Sequence, residues 1–275
     1  HKSIDFLCKA GLQEKTVEVP FNNGARAIID LSDPEPRNVF IKHEFEPHFF
    51  DLPKTLMPKN GIFFDLGANV GLCSFGLIPD RPSSSYHLFE ANPHLIQLLE
   101  QSIDLHPNQE FTLNNVCVSD STGKTRFQLE QNQSGQSHVS TKEGSGIEIQ
   151  NLLLDEYCNN KGTDLVDFAK IDLEGHELPA LKGWQNCLSE HKVKAIYIEI
   201  MPENQARYGR SANAPLSYLE SLGYELYLCK EEDFGSFGDA PNKTKLRHGS
   251  LPLSRFRAEE YPQDFATDTL ALAPA

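Results

Sequence analysis

The feature that most constrains this chain is an alternation that begins at Gly61. Short apolar runs alternate with Gly- or Pro-marked turns and helical segments: GIFFDLG, GLCSFGLI, YHLFE, a segment opened by Asn92-Pro93, then EFTLNN. Asn92 has the chemistry of an N-cap and Pro93 suits a first helical position. Parallel strands need a crossover, usually a helix, so strand–helix–strand in this rhythm predicts an α/β, doubly wound, mostly parallel sheet. The rhythm pauses after Asn115. CVSDSTGKTRFQLE reads as a hairpin turning at Ser121 to Lys124. Residues 131–146 are rich in Gly, Ser and Gln, without hydrophobic period, and read as a lid or substrate loop. The rhythm then resumes: LVDFAKIDL (strand), HELPALKGW (helix), VKAIYIEI (strand), APLSYLESLG (helix closed by Gly223), YELYLC (strand). Residues 230–263 read as loop, and TDTLALAP as a final strand.

The segment before Gly61 has a different grammar. TVEVPFNNGARAIIDL predicts two strands around an Asn23-Gly24 turn. DPEPRN reads as a Pro-rich break, and IKHEFEPHFFDLPKTL as amphipathic and partly helical. The expected organisation is an N-terminal strand/helix extension, 1–60, and one main domain, 61–275, with substrate-side loops at 131–146 and 230–263. A net charge of −14 opposes long-range attraction to nucleic acid or an anionic membrane. No apolar run approaches the ~18 residues of a membrane span. The opening HKSIDFLCKAG has no leader-like apolar core and no initiator Met, the pattern of a trimmed or tag-derived start. The six cysteines form no CxxC pair and no zinc-like spacing, so reduced thiols and a cytoplasmic location are expected. A small-molecule partner follows, with no nucleic acid and no membrane, and homo-oligomerisation left open.

FFDLGANVGL joins a strand, Asp65, and two glycines, Gly67 and Gly71, at a strand-to-helix turn. Glycines there let backbone approach a ligand closely, and the following helix start favours an anionic group. Asp65 adds a carboxylate for an ammonium group. Glu90 ends the next strand, where a carboxylate can accept from two ribose hydroxyls. An amino acid on one side and a nucleoside on the other describe S-adenosylmethionine. The competing dinucleotide fingerprint G-x-G-x-x-G is not met, because Asn69 stands at its second glycine.

With FFDLGANVGL, HLFEANP, NNVCVSD, DFAKIDLEGHELPALKG and IYIEI in this order, the chain resembles the FkbM family of S-adenosylmethionine-dependent methyltransferases. The resemblance runs from about Gly61 to Cys229, with TDTLALAP similar to the closing strand. It implies a class I methyltransferase (Rossmann-like) fold: seven strands, mostly parallel, the last antiparallel. It implies that Asp65, Gly67, Ala68, Asn69 and Gly71 hold the methionine part, Glu90 and Ala91 the ribose and adenine edge, and that Asn115 and Val116 approach the adenine. It also implies O-methylation of a sugar or of a polyketide or peptide natural product. The alternatives are N-methylation of a peptide or protein side chain, and a non-catalytic S-adenosylmethionine-binding module. Nucleic-acid amino methylation fits poorly: IDLEGHE stands where an Asp/Asn-Pro-Pro-aromatic motif belongs, and no Pro-Cys nucleophile exists.

A neutral hydroxyl needs a base as its proton leaves. Ligands of open α/β sheets lie beyond the carboxyl ends of the strands, where KIDLEGHE puts Asp172 and Glu174. Asp172 is expected at the methyl-transfer pocket, touching cofactor and acceptor. His176, with an ordinary pKa near ~6.5, is a candidate base, oriented by Asp172 or Glu174. Glu177 reads as a helix start. Glu199 and His138 are candidate substrate contacts. A divalent metal held by Asp172, Glu199, Glu203 and Asn204 is a minor alternative.

Overall fold

The computed structural model describes residues 8, 13–130, 133–142, 144–229, 245–248 and 251–274; for 245–248 only the strand itself is described. The remaining residues of the expected loops 131–146 and 230–263 lie outside them, as does most of the opening segment.

The chain enters as an antiparallel hairpin, β1 (Thr16–Phe21) and β2 (Ala25–Asp30), turning through Asn22, Asn23 and Gly24, all at positive φ. DPEPRN is not a break. Asp33 accepts from the Glu35 N–H and Pro34 opens helix α1 (Pro34–Lys42). The proline cluster sits where the first-turn amides have no helical partner, so nothing is lost. Helix α2 (Pro47–Leu56) follows.

The alternation then unfolds as expected: β3 (Ile62–Leu66), α3 (Leu72–Leu77), β4 (Ser85–Phe89), α4 (Pro93–Asp104) and β5 (Glu110–Asn114). Asn92 caps α4 by accepting from the His94 N–H. Next come β6 (Cys117–Val118), β7 (Lys124–Gln128), β8 (His138–Val139) and β9 (Ile147–Leu152). After α5 (Leu154–Lys161) come β10 (Phe168–Ile171), α6 (Glu177–Lys182), α7 (Gln185–Ser189) and β11 (Ala195–Ile200). Then follow α8 (Pro202–Arg207), α9 (Ala214–Ser221), β12 (Glu225–Leu228), β13 (Lys245–His248), β14 (Leu251–Phe256) and β15 (Thr267–Leu272).

The main sheet runs β13-β14-β12-β15-β11-β10-β3-β4-β5. Its body, from β12 to β5, is the seven-stranded arrangement expected of a class I methyltransferase, with β15 antiparallel to both neighbours. The expectation of seven strands is corrected to nine, since β14 and β13 extend the edge beyond β12. LPLSRF falls in the stretch expected as loop, and proline is confined to edge or bulge positions of strands. Pro252 pairs only toward β13, while β14 meets β12 from Ser254 onward, so its missing N–H is not needed there.

The expected hairpin after Asn115 is also corrected. β6 and β7 lie on opposite sides of β9, parallel and antiparallel to it, in a small sheet ordered β6-β9-β7-β8. The strand that organises them, IEIQNL, has the period-2 pattern of a one-sided strand.

Pleating sorts the main sheet's residues between two cores. Phe63, Phe168, Tyr197 and Leu270 face the side covered by the hairpin, α2, α3 and α4. Phe64, Ala169, Ile171, Ile198 and Ala271 face the side of α5, α6, α7 and α9. On the first side Phe49 of α2 meets the Phe63, Phe168 and Tyr197 rings edge-on at 5.0–6.4 Å. On the second, Phe64 stacks on Trp184 at 5.6 Å. Among the described residues no helix is long and apolar enough to cross a membrane.

Candidate active site

Two cavities meet beyond the carboxyl ends of β3 and β10, and both are lined by Asn69 and Asp172. The first is an open cleft of about 550 Å³, part of it continuous with solvent. Its making begins with Gly67, at φ +79°, where any Cβ would overlap the Asp172 carbonyl oxygen. Only glycine lets the β3 turn cross β10 this closely. The Gly67 and Ala68 amides both donate to the Phe89 carbonyl, at 3.0 and 3.1 Å, tying this turn to the end of β4. One residue on, Asn69 takes a left-handed φ of 52° and donates its N–H to Glu90 Oε2 at 2.7 Å. Glu90 Oε1 accepts from the Asn92 N–H, also at 2.7 Å. Burial raises Glu90 to about 7, although both amide bonds pull the other way. A carboxylate has about four acceptor positions, so two remain for ligand hydroxyls.

Of the residues expected at the cofactor, Gly67, Asn69, Glu90, Ala91, Val116 and Asp172 line the first cavity. Ala68 lines the second. Three others line neither. Asp65 is fully buried, accepting from Ser74 Oγ at 2.6 Å, with its carboxyl pushed up by burial. The space at Gly71 is closed by Phe75 and Leu99. Asn115 donates its side-chain amide to the carbonyls of Glu90 (2.8 Å) and Ala91 (3.3 Å), steadying the strand end. The sequence reading missed the roof: Phe127, Ser134, Ser137 and Val139 also line this cavity. Ser134 is pinned from both ends. Its N–H donates to Asp33 Oδ2 at 2.8 Å and its hydroxyl to Asn69 Oδ1 at 2.8 Å. The Gly/Ser-rich composition marked this stretch as special without showing which residues turn inward.

His176 lines the first cavity and not the second. Its Nε2 lies 3.2 Å from Ser119 Oγ, and its Nδ1 is buried without a hydrogen-bond partner. Burial, helped by the Arg210 charge, lowers its pKa to about 4. Glu174 also lines this cavity, at a left-handed φ of 53°, and accepts from Asn204 Nδ2 at 2.6 Å. Burial and the Asp172 charge raise it to about 8. Glu177 is more than a helix start. Buried, it accepts from the Leu173 and Gly175 amides, each at 3.0 Å, and from the Gln205 side chain. It thereby holds the turn that presents Asp172 and Glu174. His138 lines neither cavity; its Nδ1 lies 2.9 Å from the Gln136 carbonyl.

The second cavity, about 650 Å³, follows from the pleat. Lys170 shares its sheet face with Phe168, and β10 registers Lys170 against Asp65 of β3 and Tyr197 of β11. Two residues on, Asp172 just past β10 and Glu199 near the end of β11 extend the same face, and β15 registers Asp268 against Glu199. Glu35, Pro36, Phe45 and Glu46, from α1 and the α1–α2 turn, wall the other side. Lys170 Nζ donates to Asp172 Oδ2 at 3.0 Å and to the Gly67 carbonyl at 3.1 Å. The neighbouring Asp172 charge, then burial, pushes Glu199 up to about 9. Glu203 lines neither cavity, and among the described residues no group of three His, Cys, Asp or Glu side chains could hold a metal ion.

The first cavity suits S-adenosylmethionine. A glycine crossing leaves room beside the backbone, a buried carboxylate keeps open acceptor positions, and Phe89, Val118, Phe127 and Val139 give apolar walls for a flat ring.

Comparison with known proteins agrees with that chemistry. The family model described as "Methyltransferase FkbM domain" matches residues 65–226, more than half of the chain. The curated hexuronic acid methyltransferase AglP of Haloferax volcanii is 27% identical over 146 residues, which are 52% of this chain. The match spans 56% of that relative's own length. Among solved structures, the precorrin-6y C5,15-methyltransferase of Geobacter metallireducens GS-15 is similar with a TM-score of 0.43 and 14% identity, covering 83% of this chain and 89% of that one. An rRNA methylase of Streptococcus thermophilus gives 0.42 and 12%, covering 82% and 94%. These two likenesses carry no argument; the fold rests on the strand order above.

Proposed function

The chain belongs to the FkbM methyltransferase family, and on that premise we propose that it methylates a hydroxyl of a sugar-like small molecule seated in the second cavity. The single observation that carries this reading is that Asp172 and Asn69 line both cavities. A donor in the first and an acceptor in the second would meet at those two residues. The similarity to a hexuronic acid methyltransferase supports a sugar-like acceptor. S-adenosylmethionine supplies a methyl group activated by its sulfonium.

The chain's own contribution is alignment and proton removal. Glu90 and the Gly67 turn orient the donor. The acceptor oxygen attacks the methyl carbon, the carbon–sulfur electrons leave with sulfur, and the hydroxyl proton passes to Asp172. Lys170 fixes Asp172 Oδ2, so Oδ1 would be the atom to take the proton. His176 fits this step less well, since it lines only the first cavity. Its open Nδ1 suits a contact to the donor instead.

Calorimetry with S-adenosylhomocysteine, paired with methyl transfer to a sugar panel, tests this. Asp172→Asn should bind S-adenosylhomocysteine near normally while turnover falls about 10²–10⁴-fold, the usual worth of a positioned base. Undiminished turnover in that variant would remove Asp172 from the chemistry.

A further inference from the structure

The second cavity has a charge that its role as an acceptor site does not by itself require. Five carboxylates line it, from Glu35, Glu46, Asp172, Glu199 and Asp268, against one lysine. Lys170 is already committed, with Asp172 on one side and the Gly67 carbonyl on the other. Asp268 has His48 Nε2 at 3.6 Å, and the same nitrogen lies 3.3 Å from the Tyr197 hydroxyl. Three carboxylates are left, those of Glu35, Glu46 and Glu199, and the described residues supply none of them with an ion-pair or hydrogen-bond partner.

Glu35 and Glu46 are exposed and Glu199 is half-buried. The protein around the first two still raises Glu35 to about 7 and lifts Glu46 as well. Carboxyl groups face the cavity from several walls: Glu35 from α1 with Asp33 behind it, Glu46 ahead of α2, Asp172 after β10, Glu199 from β11 and Asp268 from β15, with Lys170 of β10 the one lysine in the lining. These three carboxylates are not there for the methyl donor, because none of them lines the first cavity. Nor do they form an ion cage, for they stand on separate walls and no group of three among the described residues is arranged to hold a metal. Carboxylates spread over a cavity of about 650 Å³ match an extended organic molecule better than a point ion.

We propose that the acceptor is a positively charged, hydroxyl-bearing molecule of amino-sugar type, carrying at least one ammonium or guanidinium group, and not a sugar acid. This rests on the second cavity being the acceptor site. Carboxylates accept from both hydroxyls and ammonium groups, so one lining serves both parts of such a molecule. A sugar carboxylate would add a further acidic group to a lining in which carboxyl groups already outnumber the lysine five to one. The inference concerns the charge of the acceptor and holds whether the methyl goes to its oxygen or its nitrogen.

The test is calorimetry on the protein saturated with S-adenosylhomocysteine, at low salt and pH 7, with D-glucosamine, N-acetyl-D-glucosamine and D-glucuronate as probes. The expected order is glucosamine at least about tenfold tighter than its acetylated form, a difference of ~1.4 kcal/mol, with glucuronate weakest. The paired variant Glu46→Gln and Glu199→Gln should erase most of that preference while keeping its thermal melt. Equal affinities, tighter glucuronate, or no measurable glucosamine binding each overturn the inference, as does heat from magnesium chloride alone. The methyltransferase reading fails separately: it is the absence of S-adenosylhomocysteine heat that would sink it.

Discussion

Lys170→Met removes the one ammonium group serving two carboxyls. The lysine side chain is 11% exposed and that of Asp172 30%, so their 3.0 Å pair is largely out of water. Asp65, on the neighbouring strand, is fully buried with only the Ser74 hydroxyl on Oδ2 and no partner on Oδ1. Lys170 is the largest influence opposing the rise of its pKa. Methionine fills similar volume without the charge. Breaking a buried pair from one side costs about 3–5 kcal/mol. The lower end applies here, because Asp172 can rehydrate through the cavity. With an unfolding entropy of ~2.1 cal/mol/K per residue, 275 residues turn about 3 kcal/mol into a fall in Tm of roughly 5 °C. The sign with pH follows from Asp65. Without the lysine its folded pKa rises further above the unfolded value, so the folded state holds a proton that the unfolded state releases. The deficit against wild type must therefore grow from pH 5.5 to pH 8. Thermal unfolding followed by circular dichroism at both pH values measures it. A Tm within about 1 °C of wild type at pH 8, or a deficit that shrinks as pH rises, would refute the role given to Lys170.

Two further outcomes are expected. Glu35, Glu90, Glu174 and Glu199 are raised to about 7, 7, 8 and 9, so each binds its proton more tightly folded than unfolded. Stability without ligand should decline as pH climbs from about 5 through 9, and Glu199→Gln should flatten the upper part of that slope, read as Tm against pH. Gly67→Ala drives a methyl into the Asp172 carbonyl at a positive φ, so the β3 turn and β10 must part. Affinity for S-adenosylhomocysteine should drop by at least about tenfold, a loss of ~1.4 kcal/mol, and unchanged calorimetric affinity would contradict the crossing described here.

The legible part of this protein was the part written locally. Strand, glycine turn and helix lie within ten residues around Gly67, so their rhythm predicted both the parallel sheet and one end of the first cavity. Glu90 and Asp172 were legible for the same reason, each ending a short apolar run. The second cavity was not. Glu35, Glu46, Glu199 and Asp268 are scattered from the first helix to the last strand, and each alone reads as an ordinary solvated carboxylate. They converge because β15 enters antiparallel beside β11 and sets Asp268 against Glu199, a register no local window contains. His176 drew notice as a candidate base through the ordinary pKa of its imidazole, and the sequence did not show that the turn held by Glu177 sets it in the first cavity beside Val116 and Cys117.

The two cavities draw their walls from different lengths of chain. The first is built entirely between Gly67 and His176. The second borrows Glu35, Pro36, Phe45 and Glu46 from ahead of that span and Asp268 from the far end of the chain. If the second cavity seats the acceptor as proposed, acceptor preference can be re-engineered by exchanging the α1–α2 segment while the hydrogen bonds between Glu90 and the Gly67 turn are kept. Ser134 sets the limit of such a graft. Its amide rests on Asp33, so a transplanted segment must keep that aspartate or it will loosen the roof over the neighbouring pocket.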